Sequence, residues 1–438
     1  MKVVAHGGWL AKLLWDHFAG SLAGMTCECR RLAIGVVLSF AGLACFRTPM
    51  DEPRAGTMNA AGGTGGGGMI GTTGGSIGAA GGAPGCTGTW EFAPQVTYVA
   101  GRGPNAIAVG DFNRDGFLDL AIVNANDGTV GIASNQGTGT FAPQVTYFCA
   151  APVAVAVGDF DGDGFTDLAV VNYAGTNTVG VLFNRKDGTF AHEVQYPTGS
   201  YPGAIAAGDF NGDGAPDLAV TSENDYAVSV NLNQGNGSLL PRATYEVGWN
   251  STSVAVGDFN VDGFLDLAVA YGEGASNPSN GGLAILLNQK DGTFGRAVTY
   301  GDDNGPQAVA VGDFNGDGAP DVAVADYEGA SLSVLQNADD GTFASPVYYP
   351  AGKGPVSVAV GDWNGDGCSD IVVANSWSAN LSVFLNDCNG HFGAQVTYVA
   401  GTGASGIAVG DFNGDGRPDL AVANSGDNTV GVFLSQCQ

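Results

Sequence analysis

Positive charge is scarce in this sequence: 15 Lys and Arg stand against 43 Asp and Glu, giving a formal charge of −28 and a pI near 4.1. Such a chain has no basic footprint for nucleic acid. Long apolar runs are missing as well. The run from Leu32 to Ala44 spans 13 residues, short of the roughly 20 that a transmembrane helix needs. No segment sustains a 3.6-residue apolar period, which excludes an α-helical solenoid. Histidine is reduced to four residues: His6 and His17 near the start, and His192 and His391 in equivalent turn neighbourhoods of different repeats. There is no G-x-S-x-G, no H-E-x-x-H and no Cys/His pair at nucleophile spacing. The expectation is that the protein is not an enzyme.

What the sequence has in abundance is glycine, 73 residues, and one nine-residue motif, D-(F/W)-(N/D)-x-D-G-x-x-D, in seven copies. The copies begin at Asp111, Asp159, Asp209, Asp258, Asp313, Asp362 and Asp411, separated by 48, 50, 49, 55, 49 and 49 residues. Oxygen-bearing side chains fall at positions 1, 3, 5 and 9. Calcium takes six to eight oxygen ligands, and a short loop wraps it by turning alternate residues inward. The position-6 glycine permits the sharp bend with positive φ. A single copy could be an Asx-rich turn; seven copies without a lost ligand position point to calcium. Magnesium, which keeps its waters, suits the loop less well. The loops hold 22 of the 43 acidic residues, and seven divalent ions would bring −28 to −14, so the acidity reads mainly as metal ligation.

In chain order, residues 1–45 read as a leader, with Met25 as an alternative start. Arg30-Arg31 followed by the apolar run to Ala44 has the layout of a signal peptide. Leu43-Ala44-Cys45 resembles a bacterial lipobox with Cys45 as the lipidated residue, although Gly42 stands where that pattern has a larger aliphatic side chain. Plain cleavage after Ala44 is the alternative. Residues 46–85, with Gly65-Gly66-Gly67-Gly68, lack the apolar content to offset ordering entropy and read as a flexible tether. The expected location is therefore the cell surface, as a bacterial outer-membrane lipoprotein, or outside the cell as a secreted protein.

Residues 86–438 are repeat. In the unit after Pro202, short strands are expected at Ala204 to Phe210, Leu218 to Thr221, Val228 to Leu232 and Ala243 to Tyr245. Four strands per roughly 50 residues predict an all-β, seven-bladed β-propeller. The fourth strand recurs as F-x-x-x-V-x-Y, with an extra copy from Phe92 to Tyr98 before the first loop, while the last blade stops after Val430 to Leu434. The N-terminal strand is expected to complete the last blade and remove exposed edges. Cys86 and Cys437 flank that closure and are expected to pair, as are Cys368 and Cys388 within blade six; Cys149 is left as a free, buried thiol.

The motif, with I/V-A-V-G before it and D-L-A-V after it, resembles the FG-GAP/VCBS repeat family, including the calcium-binding blades of integrin α-subunit propellers, over about 350 of the 438 residues. The resemblance implies up to seven structural Ca2+ ions between strands one and two on one face of the disc. By position, the ligands are Asp111, Asn113, Asp115 and Asp119 in blade one, and Asp159, Asp161, Asp163 and Asp167 in blade two. Blades three and four supply Asp209, Asn211, Asp213 and Asp217, and Asp258, Asn260, Asp262 and Asp266. Blades five and six supply Asp313, Asn315, Asp317 and Asp321, and Asp362, Asn364, Asp366 and Asp370. Blade seven supplies Asp411, Asn413, Asp415 and Asp419. Arg114 and Val261 replace the usual position-4 glycine, and Arg114 is expected to place a cation beside the first site. Some relatives on this fold are lyases or phospholipases, which keeps a polysaccharide-acting or phospholipase-like enzyme as an alternative, alongside a purely structural scaffold.

The loops on the opposite face vary while the framework repeats. They carry Tyr173, Tyr226, Trp249, Tyr271, Tyr327 and Trp377 among Asn and Asp, a composition suited to stacking on a glycan or anchoring a protein partner. The leading expectation is a monomeric surface binding or adhesion module that meets the membrane only through its anchor. The insertion from Gly272 to Gly282 is expected to be a loop rather than a pocket.

Overall fold

A computed structural model describes residues 89–173, 175–272, 281–301 and 304–438. The leader with Cys45, the tether, Cys86 and residues 273–280 of the insertion lie outside the described residues.

Alternation is weak in the second strand of every blade, and the structure shows why. Runs such as Asp119–Asn124 and Asp419–Asn424 are buried along their whole length, sandwiched on both faces by neighbouring blades, so small and β-branched residues occupy every position. The outermost strands, such as Val145–Phe148 and Val396–Val399, expose three of their four residues and turn only a tyrosine inward. Seven four-stranded antiparallel sheets follow one another, and among the described residues there is no helix. The innermost strands pack on one another in sequence, and that of blade seven, Ala404–Gly410, packs on that of blade one, Pro104–Gly110. The array is a closed seven-bladed β-propeller.

Closure follows the expected route. Val96–Val99 pairs antiparallel with Thr429–Phe433, setting Tyr98 opposite Val430. The structure adds a contact that periodicity did not show: Trp90–Phe92 pairs with Ser435–Cys437 in a separate two-stranded ribbon. The Trp90 indole N–H donates to Ser435 Oγ at 2.8 Å.

The recurrent Phe and Tyr of the fourth-strand signature turn out to be the seams between blades. Tyr147 of blade one meets Phe190 of blade two edge-on at 5.6 Å, and Phe190 meets Phe112, position 2 of the first loop, at 5.6 Å. The same T-shaped trio recurs as Tyr245, Phe294 and Phe210, and as Tyr300, Phe343 and Phe259. Edge-to-face pairs of this kind contribute about 0.5–1.5 kcal/mol each beyond the area they bury. At the closing seam, Phe92 from the N-terminal strand fills the same role against Tyr398 and Trp363.

Candidate metal loops and the opposite face

Each loop is folded by its own carboxylates. The position-6 glycine, at φ +84 to +93°, donates its N–H to Oδ2 of the position-1 aspartate at 2.7–3.0 Å in all seven copies. Oδ1 of the position-5 aspartate accepts the N–H of position 7 at 2.9–3.0 Å. Positive φ at position 4 is met by glycine in five loops and by Arg114 (+58°) and Val261 (+54°) in the other two. For a β-branched residue such as Val261 that conformation is unfavourable.

The position-9 aspartates do more than the motif spacing indicated. All seven are fully buried as the first residue of strand two. Oδ2 accepts the N–H of position 2 at 2.9–3.3 Å. Oδ1 accepts the N–H of the residue two positions after the end of strand three at 2.7–2.8 Å. That residue is a buried asparagine in six blades: Asn135, Asn184, Asn233, Asn288, Asn337 and Asn386. Its amide donates to the position-8 carbonyl of its own blade and, at 2.7–2.9 Å, to the position-2 carbonyl of the preceding blade. Metal loop, strand three and adjacent blade thus form one polar network. The asparagines recur at the repeat spacing, so the signal was present in the sequence; their turn-like surroundings concealed that they are buried. In blade seven Ser435 takes this place and accepts Trp90 instead.

Burial pushes the position-9 carboxyls up, to about 6 in Asp119, Asp217, Asp266 and Asp321 and to about 7 in Asp167, Asp370 and Asp419. Repulsion from nearby loop aspartates adds to the effect, and the two backbone N–H bonds oppose it. In blade two, one carboxylate oxygen from each of Asp159, Asp161 and Asp167 lies within 4.8 Å of the others. Two oxygens on a single calcium ion lie at most about 5 Å apart, twice the bond length. In blade two the all-oxygen donor set and its spacing therefore fit calcium. In blades three, five, six and seven, the position-3 asparagine turns its amide nitrogen to Oδ2 of the position-5 aspartate, at 2.6–3.1 Å.

One expectation is corrected here. The Arg114 guanidinium reaches across to blade two, where it lies 3.8 Å above the ring of Phe165. The αL backbone at position 4 directs the side chain across the seam, where the aromatic face receives the cation.

Cys368 and Cys388 form a disulfide with Cα atoms 5.3 Å apart, tying position 7 of the sixth loop to the turn after strand three. Cys437 is disulfide-bonded; its expected partner, Cys86, is outside the described residues. Cys149 is free and buried, and burial raises its thiol to about 12. His192 and His391 are exposed. His391 Nδ1 lies 3.8 Å from Asp387.

On the opposite face the aromatics pair across seams. Tyr173 meets Tyr201 at 5.3 Å, Tyr226 meets Trp249 at 5.2 Å, and Tyr327 meets Trp377 at 5.0 Å. Trp377 (69% exposed) and Trp249 (54%) present most of their surface to solvent. Tyr173, Tyr271 and Tyr327 are half-buried, and Tyr271 packs into the hydrophobic core shared by blades three and four. Tyr271 lies so close over Gly248 that a Cβ there would come within 2.2 Å of its ring. A groove of 740 Å³ runs down the flank between blades three and four, lined by Asp225, Tyr226, Tyr245, Glu246 and Arg296 among others.

The family model of the FG-GAP-like repeat matches six segments: residues 120–170, 159–220, 209–269, 274–324, 313–373 and 362–422. The chain belongs to the FG-GAP-like repeat family. A comparison with curated protein sequences finds no match. Among solved structures, the FG-GAP-like chain is similar to BBS1N in its complex with ARL6DN, with 14% identity and a TM-score of 0.55 over 79% of this chain and 97% of that one. It is also similar to virginiamycin B lyase from Staphylococcus aureus, with 14% identity and a TM-score of 0.54 over 79% and 99%. At that identity both likenesses are of fold alone. An Agrocybe aegerita lectin, solved for its recognition of non-reducing terminal N-acetylglucosamine, aligns at 21% identity and a TM-score of 0.49 over 71% and 80%.

Proposed function

We propose that this FG-GAP-like propeller is an exported, calcium-stabilised binding module, anchored to the bacterial surface through Cys45 and acting as a monomer in adhesion to a carbohydrate. In this reading the metal is structural: it neutralises convergent carboxylates and cross-links strands one and two. The tether of residues 46–85 holds the head away from the membrane. The observation that carries the binding role is Tyr226, which lines the flank groove and meets the exposed Trp249 ring at 5.2 Å. An exposed aromatic platform beside carboxylates and a guanidinium suits a sugar, which stacks its apolar face and hydrogen-bonds its hydroxyls.

The test is a glycan array probed with the full-length protein in millimolar calcium, beside the Trp249→Ala and Tyr226→Ala variants. Binding to defined glycans that either substitution abolishes is the expected result. A flat array together with a specifically retained protein partner would replace carbohydrate by protein as the ligand. A flat array with no retained partner would leave a purely structural scaffold.

A further inference from the structure

The turn after strand three packs against the metal loop of its own blade, and one position in it changes from blade to blade. It is Gly137 in blade one, Gly235 in blade three, Asp339 in blade five and Cys388 in blade six, all with φ between +65 and +82°. In blades two and four the same left-handed position is held by lysine, Lys186 (φ +70°) and Lys290 (φ +72°). A long charged side chain in a conformation that favours glycine calls for a compensating interaction.

Both lysines have one. Lys186 Nζ lies 3.2 Å from Asp163 Oδ2, and Lys290 Nζ lies 3.5 Å from Asp262 Oδ2. Each acceptor is the position-5 aspartate of the metal loop. Each ammonium also stands 5.9 Å from the ring of the loop's position-7 phenylalanine, Phe165 or Phe264. The lysine backbones are fixed as well, since the N–H of each donates to Oδ1 of the buried Asn184 or Asn288 at 2.9 Å. Blade one has the same position-7 phenylalanine but glycine in the turn, and there the Phe117 ring lies over Gly137, leaving no room for a side chain.

Loop charge follows the same division. Blade two is the only copy with a fourth carboxylate, Asp161, and among the described residues two cations approach it, Lys186 from its own turn and Arg114 from blade one. Blade four has three carboxylates and Lys290. With every carboxylate counted as ionised, each of these two loops is left at a formal charge of −2, which one divalent cation would neutralise.

We propose that Lys186 and Lys290 are built-in counter-cations that hold the loops of blades two and four in shape without metal and set their calcium affinity below that of the other loops. The inference rests on the calcium reading of the loops. An ammonium beside a ligand oxygen both competes for it and repels the arriving ion, an effect on the order of tenfold in affinity per site at low salt and smaller at high salt. The flexible lysine stem lets the head withdraw toward solvent when calcium binds.

The experiment is a calorimetric titration of the full-length protein with calcium in low salt, compared with the Lys186→Gln/Lys290→Gln variant and with Lys353→Gln on the opposite face. The expected wild-type isotherm has two weak ions, which the double variant tightens about tenfold and Lys353→Gln leaves unchanged. Melting supplies an independent readout with opposite signs: the double variant should melt below wild type in chelator and above it in calcium. An isotherm that superimposes on wild type, or a melting temperature lowered in both conditions, overturns the proposal while leaving calcium binding intact. Absence of calcium binding in every version overturns the calcium reading itself, and this inference with it.

Discussion

The two faces of the disc are built from the same seven repeats and have opposite characters. On the loop face the same hydrogen bonds recur: glycine to position 1, position 7 to position 5, and strand three to position 9. On the other face each blade ends differently, with Asn126 and Asp127 in blade one, Tyr226 in blade three and Trp377 in blade six. The difference teaches where the constraint lies. A carboxylate buried at strand two must be satisfied in every blade, since a buried polar group without a partner costs about 1–3 kcal/mol. A loop tip over water has no such obligation and is free to carry recognition.

Removing metal should break this division most severely. In millimolar calcium against excess chelator, the melting temperature is expected to differ by roughly 10 °C or more, since each occupied site adds binding free energy to the folded state alone. Equal melting curves would remove calcium from the account. The same experiment across pH sharpens it. The position-9 carboxyls titrate at about 6–7 when folded and near 3.8 in the unfolded chain, so between those values the folded state holds more protons. Metal-free stability should therefore rise as pH falls from 8 toward 5, and calcium should flatten or invert that trend.

Next in size is the buried network. Asn288→Ala leaves the carbonyls of Phe210 and Leu265 without their donor and should cost about 2–4 kcal/mol in urea unfolding. Asn236→Ala, on an exposed turn, should cost less than about 0.5 kcal/mol. Similar losses at both sites would show that the network is not special. Replacing Cys368 and Cys388 together by Ser opens a link across 20 residues and should cost about 3 kcal/mol, measured by the same method. A small stability effect is also expected on the opposite face: Trp377→Ala should change unfolding by less than about 1 kcal/mol. A large loss there would make the exposed tryptophan part of the framework rather than of a binding surface.

The fold was legible because its signals are short-range and repeated. Seven motifs at nearly constant spacing fix the blade count, and the stray Phe92 to Tyr98 strand fixes how the ring closes. Less legible were contacts between distant residues. Nothing near Asn184 in sequence announces that its amide reaches Phe112 in the preceding blade. Arg114 was assigned to its own loop because proximity in sequence was the only guide, and Tyr271 was grouped with the variable-loop aromatics although its ring is packed over Gly248.

The sequence by itself determined the four strands of each blade, the oxygen-bearing loop positions and the circular order, since each is written in the repeat of about 50 residues. Only the tertiary structure decided which carboxylates are buried, which lysines stand against them and which aromatics pair across a seam. Those properties belong to the packing of one blade on the next, where residues roughly 50 to 300 positions apart meet, and no local pattern records such a meeting.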